Sequence, residues 1–92
     1  MKTLHVVISG LVQGVGFRYF TMRNARTLGI RGWVRNLPSG EVEVLAQGND
    51  AVLEDFVREL RNGPGAAHVR SLRREWIEED EMYDSFDMRG SS

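Results

Sequence analysis

The amino-acid sequence predicts an α+β fold: a mainly antiparallel sheet covered by two helices, in the order β-α-β-β-α-β. Three features predict it. Runs rich in β-branched residues alternate along the chain with two stretches whose apolar residues fall at helical spacing. Turn-forming clusters such as Pro38-Ser39-Gly40 and Asn62-Gly63-Pro64-Gly65 separate those segments. The chain has 92 residues, 41% hydrophobic and 27% charged, which is the composition and size of one globular domain spanning 1–92.

Each element has its own justification. Leu4–Ser9 is β-branched and reads as the first strand. Leu11–Gly16 contains two glycines and reads as a loop. Phe17, Phe20, Ala25 and Leu28 lie near helical spacing, and Gly29 is placed to end that helix as its C′ residue. Arg31–Leu37 alternates, with Trp33 against Val34, and reads as the second strand. Pro38-Ser39-Gly40 turns it into Glu41–Ala46, a cleanly alternating third strand, so the two form a hairpin. Asn49 or Asp50 can cap a second helix with a strong apolar stripe, Val52, Leu53, Phe56, Val57 and Leu60, which is core packing and not a partner groove. Val69–Ile77 reads as the fourth strand, with Leu72 and Trp76 on its apolar face. Glu78–Glu81 reads as a solvated turn, and Tyr83–Met88 as a short fifth strand. Two β-α-β crossovers on one sheet make this a ferredoxin-like α/β sandwich, an architecture that hosts many functions.

Composition removes several function classes. There is no cysteine, which excludes a disulfide scaffold, a thiol nucleophile and thiolate-bound metal. No run reaches the ~18 apolar residues of a membrane span. Lys2 followed by Leu4–Val12 imitates a secretory signal, but His5 and Ser9 interrupt it and no small-residue cleavage site follows. The chain is therefore expected to be mature, monomeric and cytoplasmic. The net charge of −1 argues against nucleic-acid binding. Its distribution is uneven: residues 1–40 hold six basic side chains and no acid, and the rest hold six arginines and all 13 acids. Such a segment either focuses field onto a small anion or is neutralised when the halves interleave in space.

Gln13-Gly14-Val15-Gly16-Phe17-Arg18 joins a strand to a helix N-terminus. Backbone N–H groups there can converge on an anion, and Arg18 in the first turn can add a bidentate fork. No lysine follows, so it is not a nucleotide P-loop. Tyr19 stands where a dinucleotide fingerprint needs glycine. Spacing alone leaves a second reading open, a plain βα turn shaped by its glycines. Asn36, beside the hairpin turn, has two readings as well: a turn former, or an amide that orients a water.

Gly10-Leu11-Val12-Gln13-Gly14-Val15-Gly16-Phe17-Arg18 and Gly32-Trp33-Val34-Arg35-Asn36-Leu37-Pro38-Ser39-Gly40-Glu41-Val42 resemble the acylphosphatase family. The first block fits G-x-V-Q-G-V-x-F-R and the second G-[FYW]-V-x-N-x-x-x-G-x-V. The likeness runs on through Gln47-Gly48, Gly63-Pro64 and the C-terminal Tyr83, Phe86, Met88 and Arg89. The resemblance implies hydrolysis of small acyl phosphates to carboxylate and phosphate, in a ferredoxin-like fold. It implies that Arg18 binds the phosphoryl group with the backbone of Gln13, Gly14, Val15, Gly16 and Phe17, and that Asn36 positions the water. Leu37 departs from those members that carry threonine after the asparagine.

The chemistry asks for little else. The leaving group is a carboxylate whose conjugate acid has a pKa of about 4, so it departs unprotonated and no general acid is needed. Positioning and charge stabilisation remain. Neither a metal nor a cofactor is required by this scheme. His5 and His68 have no ligand partners at metal spacing and are expected to be structural. The rivals are a non-catalytic anion-binding regulatory module, a single-stranded RNA binder of the same strand order, and a cradle specialised for carbamoyl phosphate. The third strand has no aromatic on which a base can stack, which counts against RNA.

Overall fold

The structure is a computed structural model that describes residues 1–90. Its elements are β1 (Lys2–Leu11), α1 (Phe17–Thr27), β2 (Arg31–Asn36), β3 (Val42–Gly48), α2 (Asp50–Asn62), β4 (His68–Ile77) and β5 (Phe86–Met88). The five strands form one sheet in the order β4-β1-β3-β2-β5. All pairings are antiparallel except β2 with β5. This is the expected α+β sandwich, with the short fifth strand added at the β2 edge.

Alternation explains the layers. Leu4, Val6 and Ile8 of β1, Val34 of β2, and Val42, Val44 and Ala46 of β3 point to one face and form the core with the helices. Phe17 and Ala25 of α1 and Leu53, Phe56, Val57 and Leu60 of α2 close that face. Phe86 enters the same core and meets Phe56 edge-on, with ring centroids 6.0 Å apart.

Local signals place the ends. Gly29 takes φ 72° as C′ of α1; its N–H bonds the Arg26 carbonyl, and the Ile30 N–H bonds that of Ala25. That pair of bonds is a Schellman motif. The two candidates for the α2 cap resolve to Asn49, whose Oδ1 accepts from the Val52 N–H at 2.9 Å. Asp50 lies in the first turn, facing the positive end of the dipole.

One boundary needs correction and one residue a closer description. β1 is longer than Leu4–Ser9, because it is a central strand and its ends are held by β3 on one side and β4 on the other. Trp76 keeps to the face of core Leu4, its register partner, but at the β4 edge it is 46% exposed and stacked under Lys2 and Arg74. The cationic stems cover the ring in place of apolar packing.

The segment 78–85 is more than a solvated turn. It carries the chain from β4 at one edge of the sheet to β5 at the other. Gln47, fully buried on β3, holds it: Nε2 donates to the Glu81 carbonyl at 2.8 Å, and Oε1 accepts from the Tyr83 N–H at 3.0 Å. Trp33 Nε1 donates to the Tyr83 hydroxyl at 3.3 Å. Among the described residues, no helix is long and apolar enough to cross a membrane.

Candidate active site

The loop after β1 reverses direction through two glycines in the left-handed region, Gly14 at φ 75° and Gly16 at φ 79°. Side chains rarely adopt that backbone, so glycine is the residue that permits the curl. Gly16 is also the N-cap of α1, and it supplies no side-chain oxygen. No acid lies in the first turn. The opening N–H donors of α1 thus have no side-chain acceptor, in contrast to α2, whose start is capped by Asn49. A helix start left in that state offers donors and a positive dipole end to an anion.

A hollow of about 220 Å³ opens at this point, lined by Gly14, Gly16, Arg18, Tyr19, Asn36 and Met88 among others. The residues singled out from the sequence divide over it. Gly14, Gly16, Phe17, Arg18 and Asn36 line the hollow, although Phe17 buries its ring in the core. Val15 packs against the core. The Gln13 side chain turns to the hairpin: its Nε2 donates to the carbonyls of Leu37 at 2.8 Å and Glu41 at 2.9 Å.

Asn36 ends β2 opposite Val42. The turn beyond it is closed by main-chain bonds, Leu37 N–H to Glu41 carbonyl and Gly40 N–H to Leu37 carbonyl. The turn therefore does not depend on the Asn36 amide, and that side chain lines the hollow instead. Gln13 ties the glycine loop to the same hairpin, so the two motifs that are separate in sequence become one rigid unit.

Arg18 projects from the first turn of α1. Its Nη1 donates to the Arg89 carbonyl at 3.1 Å. Arg89 in turn bonds its N–H to the Val34 carbonyl at 2.8 Å, continuing the β2–β5 pairing. One edge of the fork is thereby held by the chain after β5, and the other nitrogens are free to meet an oxyanion. Sequence reasoning did not reveal this anchor, or Met88 as a wall of the hollow. Both depend on β5 returning beside β2, and a carbonyl acceptor carries no residue signature.

The charge halves do interleave in part. Lys2 pairs with Asp50, Arg26 with Asp87 and Arg35 with Glu43, each joining a base of the first forty residues to a later acid. Among the described residues, no carboxylate lies within 4.0 Å of Arg18, Arg23 or Arg31. Of those three, Arg18 lines the hollow and Arg23 stands further along α1. His5 faces the opposite side of the sheet, 2.7 Å from the carboxylate of Glu43.

An α/β sandwich whose first βα turn closes over a small hollow, with a guanidinium and an amide on its walls, has the form of a small-anion enzyme site. Comparison with known proteins makes the class particular. The family model described as acylphosphatase matches residues 4–88, and the chain belongs to that family. It is 47% identical over 79 residues to an acylphosphatase of Chlorobaculum tepidum, covering 86% of each chain. It is 47% identical over 88 residues to one of Archaeoglobus fulgidus, covering 96% of this chain and 98% of that one. The crystal structure of acylphosphatase from Bacillus subtilis superposes with a TM-score of 0.93 at 34% identity, over 97% of this chain and 99% of that one.

Proposed function

We propose that acylphosphatase activity in this chain is carried by the 13–18 loop, Arg18 and Asn36. The substrate is a small acyl phosphate and the products are a carboxylate and inorganic phosphate. The observation that carries this reading is the shared hollow: the uncapped start of α1, the Arg18 fork and the Asn36 amide all border it.

The phosphoryl oxygens sit against the N–H groups of the loop and the free edge of Arg18. Asn36 holds a water on the side of phosphorus opposite the acyl oxygen. The water oxygen bonds to phosphorus as the bond from phosphorus to the acyl oxygen breaks. That electron pair leaves on the carboxylate, which is stable unprotonated. The water's proton passes to a phosphoryl oxygen, so no protein base is used. Charge spread over the equatorial oxygens meets fixed donors, which is the main requirement of a loose phosphoryl transition state. No metal or cofactor has a task in this scheme.

The same reading takes residues 1–92 as one domain that acts as a cytoplasmic monomer without nucleic-acid or membrane partners. The face of the sheet away from the helices supports the absence of RNA. Where a base needs an aromatic platform, β1 and β3 present His5, Glu43 and the clamped Gln47.

The test is hydrolysis of benzoyl phosphate in EDTA by the wild type, Arg18→Ala and Asn36→Ala, with folding checked by circular dichroism. The expected result is metal-free turnover, reduced about 10²–10³-fold by Asn36→Ala, in line with the loss of an oxyanion-type donor. Arg18→Ala loses turnover and phosphate inhibition together. A folded wild type that binds phosphate without turnover would instead make the chain an anion-binding module.

A further inference from the structure

A second hollow, of about 390 Å³, lies on the solvent side of α1. Gly16 and Tyr19 line both hollows, so the two adjoin at these residues. Arg23, one turn further along the helix, lines the second, its guanidinium carbon 5.7 Å from the centre of the Tyr19 ring. Pro64, beyond α2, lines it as well. Asn36 borders the first hollow and not the second.

In-line displacement sets the direction of the leaving group. Attacking and leaving oxygens stand on opposite sides of phosphorus. With the water on the Asn36 wall, the acyl group departs on the side away from Asn36, and the second hollow, which adjoins the first at Gly16 and Tyr19 and lacks Asn36, is the space available to it. The charge there is Arg23. Lys2, Arg26 and Arg35 are neutralised by acids of the later sequence, and Arg23 has no carboxylate within 4.0 Å among the described residues. A guanidinium laid against an aromatic ring, with its donors unused, is a receptor for a planar oxyanion.

We infer that this second hollow is the acyl-group subsite, and that Arg23 makes the enzyme favour acyl phosphates whose acyl chain carries a second anionic group, such as the monoacyl phosphate of a dicarboxylic acid. The inference rests on the reading of Asn36 and Arg18 given above. Arg23 acts on specificity and takes no part in the bond-breaking step.

The experiment compares acetyl phosphate, whose acyl group carries no second anion, with monosuccinyl phosphate, using the full chain as wild type, Arg23→Gln and Arg23→Glu. The wild type is expected to favour monosuccinyl phosphate in kcat/KM. Arg23→Gln is expected to lower kcat/KM for that substrate by about 3- to 10-fold, the scale of a partly exposed charge-assisted contact, and to leave acetyl phosphate unchanged. Arg23→Glu should lower it further. A substrate ratio identical in all three proteins would overturn the inference and leave the acylphosphatase reading standing. Equal loss on both substrates would also overturn it, since Arg23 would then be acting on the phosphate cradle. A folded wild type that hydrolyses neither substrate would overturn the functional reading itself, and this inference with it.

Discussion

The side-chain amide of Gln13 donates to the carbonyl oxygen of Leu37 at 2.8 Å, and Leu37 directly follows Asn36. The same amide reaches the Glu41 carbonyl at 2.9 Å, on the far side of the hairpin turn. One side chain therefore spaces the glycine loop from the strand end that carries Asn36.

Gln13→Leu removes two hydrogen bonds, worth about 0.5–1.5 kcal/mol each, while the Leu37 and Glu41 carbonyls keep their main-chain partners in the turn. The expected cost is about 1–3 kcal/mol of stability, read as a shift of the urea midpoint. The kinetic effect should be larger than stability explains. A small error in the spacing of nucleophile and phosphorus costs about 10–100-fold, so kcat should fall while phosphate inhibition is retained. A variant that loses stability but keeps wild-type kcat would show that Asn36 is positioned without the Gln13 bridge.

Gln47 performs the equivalent task away from the site. Gln47→Leu strands the Glu81 carbonyl and the Tyr83 N–H beneath the 78–85 segment. The penalty should be about 2–4 kcal/mol, because each unsatisfied group costs about 1–3 kcal/mol and part of the segment can reach water. Hydrogen exchange at Tyr83 should accelerate well before global unfolding. Activity of the folded protein should be unchanged, since none of these groups borders the hollow around Arg18.

The pH dependence of stability has an identifiable contributor. Burial alone would raise the Glu43 carboxyl, but bonds from His5 and Arg35 outweigh it and hold the group below its ordinary value of 4.5. A carboxyl lowered on folding stabilises the native state fully above the unfolded value. That contribution is lost as pH falls through the folded value. Stability should therefore hold from neutrality to about pH 5 and decline below it. In Glu43→Gln the plateau should be lower and the acid decline shallower, as measured by urea unfolding at each pH. A decline of unchanged steepness would assign the acid sensitivity to other carboxyls.

What the sequence made legible follows a physical division. The two helices, the hairpin and the loop of Gly14 and Gly16 are encoded by spacing within a few residues, so periodicity and turn chemistry reach them. The Schellman cap at Gly29 and the Asn49 cap are equally local. Asn36 and Arg18 were legible as candidates, but their meeting at one hollow is a tertiary fact. Gln13 shows the limit: its backbone was the expected feature, while its side chain bridges to residues 24 and 28 positions away. Gln47 lies just past the third strand as read from the sequence, and its side-chain partners lie on a segment with no secondary structure to predict. Arg23 gives no local signal, because its place at the second hollow is a tertiary fact.

Phe86 couples the core to the arginine. Its ring packs on Phe56, its β5 backbone pairs with β2, and three residues later the Arg89 carbonyl accepts from Arg18. Phe86→Ala should cost about 3–5 kcal/mol, the range for truncating a buried aromatic ring. Loss of packing frees β5 first, because only three residues hold it to the sheet edge. Arg18 then loses its carbonyl partner and swings over a wider range of rotamers. At temperatures where the variant is still folded, KM should rise and kcat fall, whereas Phe86→Leu, which keeps most of the volume, should stay near wild type in both. Steady-state kinetics of the two variants beside their thermal midpoints provides the check. If folded Phe86→Ala keeps wild-type kinetics, the helix alone aims Arg18, and the Arg89 carbonyl has no part in the active site.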